Sequence, residues 1–186
     1  MCAIASGRVE LIAGDPAAAE QNLSEGYEVL RAMGERGYRA TLVTLLAEAV
    51  YAQGRFSQAQ QLTEEAEALA GADDYPAQAR WRATRAKLLA RAGQYPAAAR
   101  LAEQALALIP PTADPPERAE FLVAKAEVSR LAGKLDKAED SLHQALQFYD
   151  DRRTVPLAER TRAMLASITA QRRTRLSSDP DTVTGS

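Results

Sequence analysis

Apolar positions along this chain recur at helical spacing, and they recur in a repeating frame. In front of each of four glycines lies an eight-residue run of one kind, ending at Gly14, Gly54, Gly93 and Gly133. The residue seven before the glycine is always small (Gly7, Ala47, Ala86, Ala126), and a tiny side chain in mid-helix lets a second helix cross closely. Twelve before it stand Leu42, Trp81 and Phe121, which read as core anchors in one slot. Five after the glycine comes Ala19, Ala59, Ala98 or Ala138, and seven further on Gly26, Ala66, Ala105 or Ala145. Those two positions are two turns apart on one face, so the second helix is also built for close approach. The glycine itself reads as the left-handed stop of the first helix. Pro16, Ser57, Pro96 and Asp136 mark the start of the second, as first-turn prolines or as caps.

The glycines are 40, 39 and 40 residues apart, and a fixed period of this size predicts a repeat array. The expected class is all-α, an α-solenoid over residues 1–171 made of helical hairpins at about 1–35, 38–70, 76–109 and 116–150. Gly37, the stretch from Gly71 to Pro76, and the prolines from Pro110 to Pro116 mark the loops between hairpins. Leu157, Met164, Leu165 and Ile168 then fall at helical spacing in a final stretch of about 156–171, expected to be a capping helix. The polar run 172–186 is expected to be a disordered tail. No cap precedes the first hairpin. Its leading face is expected to be open, covered by more of a longer chain, by a partner, or by a second copy.

Composition narrows the chemistry. Apolar residues make up 46% of the chain and much of that is alanine, which suits tightly packed helices; period-two runs of β-formers are missing. A net charge of −2 with acids and bases interspersed gives no global field for nucleic acid or for a membrane surface. Cys2 and His143 are the only residues of their kinds, too far apart to support a nucleophile and base, and no glycine turn carries the Lys-Ser/Thr of a phosphate loop. Asp73 and Asp74, adjacent and without further ligands, read as solvated. The expectation is a protein that is not an enzyme and uses no cofactor or metal. Arg8 and Glu10 break the N-terminal apolar run well short of a secretory or membrane-spanning segment, which places the chain in the cytoplasm.

The pattern of small residue, Gly-x-aromatic-x-x-Ala and a second small residue resembles the tetratricopeptide repeat (TPR), most clearly at 79–110. The period is longer than that family's 34 residues. The run from Asp74 to Lys87 resembles the long-helix variety found beside ATPase modules in bacterial, including actinobacterial, cyclase-like signalling proteins and transcriptional regulators. The resemblance implies a right-handed superhelix, a protein-binding scaffold, and a concave groove lined by the first helices. The position six before each glycine would point into that groove. It holds Arg8, Glu48, Lys87 and Glu127, charges of alternating sign. They would recognise a charged peptide, or pair with one another across neighbouring helices, which is what alternation selects.

Residues 78–101 carry Arg80, Arg82, Arg85, Lys87, Arg91 and Arg100 and no acid. Arg80, Lys87 and Arg91 would share the groove face, flanked by Tyr51 and Arg130, and would suit an acidic peptide or, less readily, a nucleic acid. The bland alternative is a solvated helix offset by Glu64, Glu65 and Glu67. The carboxylate clamp of chaperone-tail receptors is not matched: its slots hold Thr44, Glu48, Ala83 and Lys87, and the single asparagine, Asn22, lies on a second helix. Three readings stay open: a scaffold binding a peptide or neighbouring domain, an effector-responsive lobe of a larger regulator, and a nucleic-acid binder.

Overall fold

The computed structural model describes residues 3–110 and 115–178, with the side chains of 115, 116 and 175–178 left aside. Those residues form helices and no strand: α1 (Ala3–Ala13), α2 (Pro16–Ala32), α3 (Gly37–Ala52), α4 (Phe56–Leu69), α5 (Tyr75–Arg91), α6 (Tyr95–Leu108), α7 (Pro115–Leu131), α8 (Leu135–Asp151) and α9 (Val155–Ser178). Consecutive helices pack as the hairpins α1/α2, α3/α4, α5/α6 and α7/α8, each stacked on the next, with α9 against α8. First helices also touch one another directly, α1 with α3, α3 with α5, and α5 with α7. The result is an α-solenoid with the first helices on its inner side.

One backbone motif ends every first helix. Gly54 stands at φ 79° and Gly93 at φ 78°, where a side chain would be strained. The next N–H reaches five residues back, Arg55 to the Val50 carbonyl at 3.2 Å and Gln94 to Leu89 at 2.9 Å, satisfying carbonyls that the helix end would orphan. α8 closes in the same way with Arg153 in the glycine's place at φ 54°, while the Thr154 N–H meets the Tyr149 carbonyl at 2.9 Å. An L side chain there costs about 1–2 kcal/mol. Arg153→Gly is therefore expected to raise stability by about 0.5–1 kcal/mol after the glycine's extra unfolded-state entropy is counted, as read by urea unfolding. Unchanged or lower stability would refute that account.

The small-residue slots are the helix crossings. Ala47, Ala86 and Ala126 are buried on the first helices, and Ala19, Ala59, Ala98 and Ala138 on the second. At the α1–α2 crossing a Cβ on Gly7 would lie 2.4 Å from Cγ of the buried Leu23. Leu42, Trp81 and Phe121 are buried as their shared slot implies.

Helix starts follow the sequence less evenly. Asp15 accepts from the Ala18 N–H at 3.0 Å and Asp74 from Ala77 at 3.1 Å, so Asp74 is a cap rather than a merely solvated carboxylate. Ser57 and Asp136 do not cap: α4 and α8 begin one residue earlier, at Phe56 and Leu135, without a side-chain cap. Asp136 instead lies in the first turn of α8, where a negative charge suits the helix dipole. α9 outruns the expected cap of 156–171 and stays helical through residues 172–178. Arg172 ties the extension to α8 by pairing with Asp136 and, at 3.1 Å, with Glu139. The rest of the expected tail, Cys2, and residues 111–114 of the proline loop lie outside the described residues. Among those described, no helix is long and apolar enough to cross a membrane.

Candidate functional site

The inner faces of α1, α3, α5 and α7, with residues of α8 and α9, line a half-open pocket of about 670 Å³. The repeat frame explains its charges. Arg8, Glu48, Lys87 and Glu127, the four residues six before a glycine, all line it, as does Arg80. Tyr51 and Arg91 stand at its edge, joined to it through Glu127, while Arg130 is absent from the lining.

Within the site the charges are matched to one another. Lys87, almost fully buried, places Nζ 2.6 and 2.7 Å from the two oxygens of Glu48, which also accepts from Thr84 Oγ1 at 2.9 Å. Burial alone would raise the Glu48 pKa, but Lys87 and Thr84 outweigh it and hold the carboxyl below its ordinary value. Arg80 donates to Glu120 at 2.7 Å and to Glu117 at 3.4 Å, and Arg8 of α1 reaches Glu120 at 3.4 Å. Tyr51 donates its hydroxyl to Glu127 at 2.5 Å and accepts from Arg91 Nε at 2.7 Å. Burial first, and then the Glu127 charge, hold that phenol protonated far above its usual range. Lys87 lies 4.3 Å from the centre of the Tyr51 ring, and Arg91 stacks on Phe56 at 4.6 Å.

The other cations of the basic helix face elsewhere. Arg82 and Arg85 lie over the Trp81 ring at 4.1 and 4.5 Å, and Arg85 pairs with Glu67. Of the acids expected to offset this helix, Glu67 does so directly, whereas Glu64 bonds Gln60 and Glu65 bonds Tyr27. His143 is exposed on α8.

The chamber also has contributors that the repeat frame did not mark. Glu120 shares a slot with Arg80, thirteen before the glycine, so aligning the repeats at that slot would have revealed an acid opposite a base. Tyr149, Arg160, Thr161 and Met164 come from the end of α8 and from α9, which no glycine of the repeat marks. α9 touches α1 at the mouth of the pocket: Arg160 Nη1 donates to the Leu11 carbonyl of α1 at 2.8 Å. α1 stays accessible beside that contact, with the Arg8 side chain 44% exposed and Val9 61% exposed.

The architecture is shared with solved proteins. A kinesin light chain-like protein from Podosopora anserina with nearly identical TPR-like repeats superposes with a TM-score of 0.52 at 18% identity, over 91% of this chain and 94% of that one. A point-substituted form of the same protein gives a TM-score of 0.52 at 17% identity, over 92% and 94%. No protein-family model matches the chain, and no curated protein matches it. The chain has a TPR-like fold, an α-solenoid of stacked helical hairpins.

Proposed function

We propose that this is a non-enzymatic, cytoplasmic interaction module whose concave side receives its ligand, a peptide or an element of a neighbouring domain. One observation carries the reading. The inner faces of four helices leave a half-open concave pocket of about 670 Å³, within the size range of ligand-receiving sites. A photo-crosslinking residue at Ala52, exposed at the chamber wall, is expected to capture a partner, while the same residue at His143 on α8 is not. Capture from His143 alone would move the interaction to the outside of the solenoid.

The contact between α1 and α9, which links the two ends of the array, favours a second reading, an effector-responsive lobe of a larger ATPase, cyclase-like protein or transcriptional regulator, in line with the resemblance of residues 74–87. The acidic-peptide and nucleic-acid readings lose support, because Arg80, Lys87 and Arg91 already hold Glu117, Glu120, Glu48 and Glu127.

A further inference from the structure

α9 keeps the frame of the repeat although no glycine marks it. Counting 40 residues on from Gly133 reaches Arg173, and the positions in front of it behave as those of the first helices do. Arg160, thirteen before, lines the pocket as Arg80 and Glu120 do from the same slot. Thr161, twelve before, and Ile168, five before, are buried, as are Phe121 and Val128. Ile168 packs with Ala138 and Leu142 of α8, and Leu157 packs beside Tyr149. α9 thus lies on the fourth hairpin as the first helix of a fifth. It runs on past Arg173 to Ser178, because no left-handed glycine stops it.

One face of α9 departs from that frame. The slot seven before the glycine is buried against the hairpin's own second helix: Gly7 meets Leu23 of α2, Ala86 packs with Ala98 and Ala102 of α6, and Ala126 with Ala138 and Leu142 of α8. The slot fourteen before is buried too, at Ala40, Ala79 and Ala119. On α9 those slots hold Ala166 and Glu159, and both are exposed. Ala163, Ala170 and Arg173 on the same side are exposed as well. The open face is the one that an antiparallel partner helix covers in every other hairpin.

Charge selects the helix that fits there. Glu159 and Arg173 stand at the two ends of the face, and neither pairs with another described residue. A two-fold axis through Ala166 sets a second α9 antiparallel to the first. It brings Ala166 onto Ala166, Ala163 opposite Thr169, and Glu159 opposite Arg173 at both ends. Small residues at the centre let the helices approach closely, and each end gains an opposite-charge pair. In a second copy α2, α4, α6 and α8 are already engaged by their own first helices, so α9 is the helix it has to give.

We propose that two copies of this chain associate through α9, antiparallel about a two-fold axis at Ala166, each filling the place of a second helix for the other. The face from Glu159 to Arg173 is about 21 Å long at 1.5 Å per residue. An interface of that size is small, so the dimer is weak and reversible, with a dissociation constant of about 10–100 µM.

Sedimentation equilibrium of the full chain, from about 5 µM to about 1 mM, reads the association across that range. Ala166→Arg places a long charged side chain on the axis and should weaken dimerisation at least about tenfold, while the melting temperature of the dilute monomer stays unchanged because the position is exposed. Glu159→Arg and Arg173→Glu should each weaken it about threefold to tenfold by setting like charges face to face, and combining them should restore it. Monomer mass at every concentration would overturn the proposal. So would a dimer that survives Ala166→Arg, or one that Val9→Arg on the open side of α1 abolishes instead, since the copies would then meet through the first hairpin. A charge-swapped double variant that stays as weak as its parents would overturn the antiparallel register.

Discussion

Replacing Trp81 with alanine is expected to remove about 3–5 kcal/mol of stability, the usual cost of deleting a large buried aromatic. Trp81 is 4% exposed and packs with Val43 and Ala66 where the α3/α4 and α5/α6 hairpins meet. Its indole N–H donates to Gln78 at 3.1 Å, and Arg82 and Arg85 cover its ring at 4.1 and 4.5 Å. Removing the ring would open a cavity and strip both guanidiniums of their platform, at about 0.5–1 kcal/mol for each exposed cation–π contact. Trp81→Phe keeps most of the volume and should cost less than half as much. Urea unfolding followed by far-ultraviolet circular dichroism measures both variants. A loss below about 1 kcal/mol for alanine would mean that the hairpin junction is held by something other than this residue.

Trp81 also shows what the sequence could and could not reveal. Its slot, twelve before a glycine, identified it as a core residue, because bulky apolar side chains in one frame position across three repeats have a single packing explanation. The same frame placed Arg8, Glu48, Lys87 and Glu127 around the chamber, since a helix fixes direction once its crossing residue is known. Pairing was harder to read. Alternating signs were compatible with self-pairing or with ligand binding, and the choice depends on how closely α3, α5 and α7 approach, a distance between neighbouring repeats that no pattern within one repeat encodes.

Capping was over-read at Ser57 and Asp136, where the turn ends one residue sooner than their side chains could use. The pocket residues of α8 and α9, Tyr149 and Arg160 among them, were not legible at all. They lie after the last glycine of the repeat, and α9 meets α1 through a contact 149 residues apart in sequence that no local pattern encodes.

Glu48→Gln is expected to cost about 2–3 kcal/mol at neutral pH. Removing one partner of a buried ion pair typically costs about 3–5 kcal/mol by stranding the other charge. Here the Lys87 side chain is only 5% exposed, but that of Glu48 is 39% exposed toward the chamber, so water offsets part of the loss. Because the folded pKa of Glu48 lies below its unfolded value, its contribution is complete above the ordinary carboxylate range and disappears as pH falls through the lowered folded value. The gap in stability between wild type and Glu48→Gln should therefore be full at neutral pH and close only in strong acid. A gap that closed at alkaline pH, or was absent throughout, would contradict the pair. Adding Lys87→Met to Glu48→Gln should restore much of the loss, and the double-mutant cycle isolates the coupling.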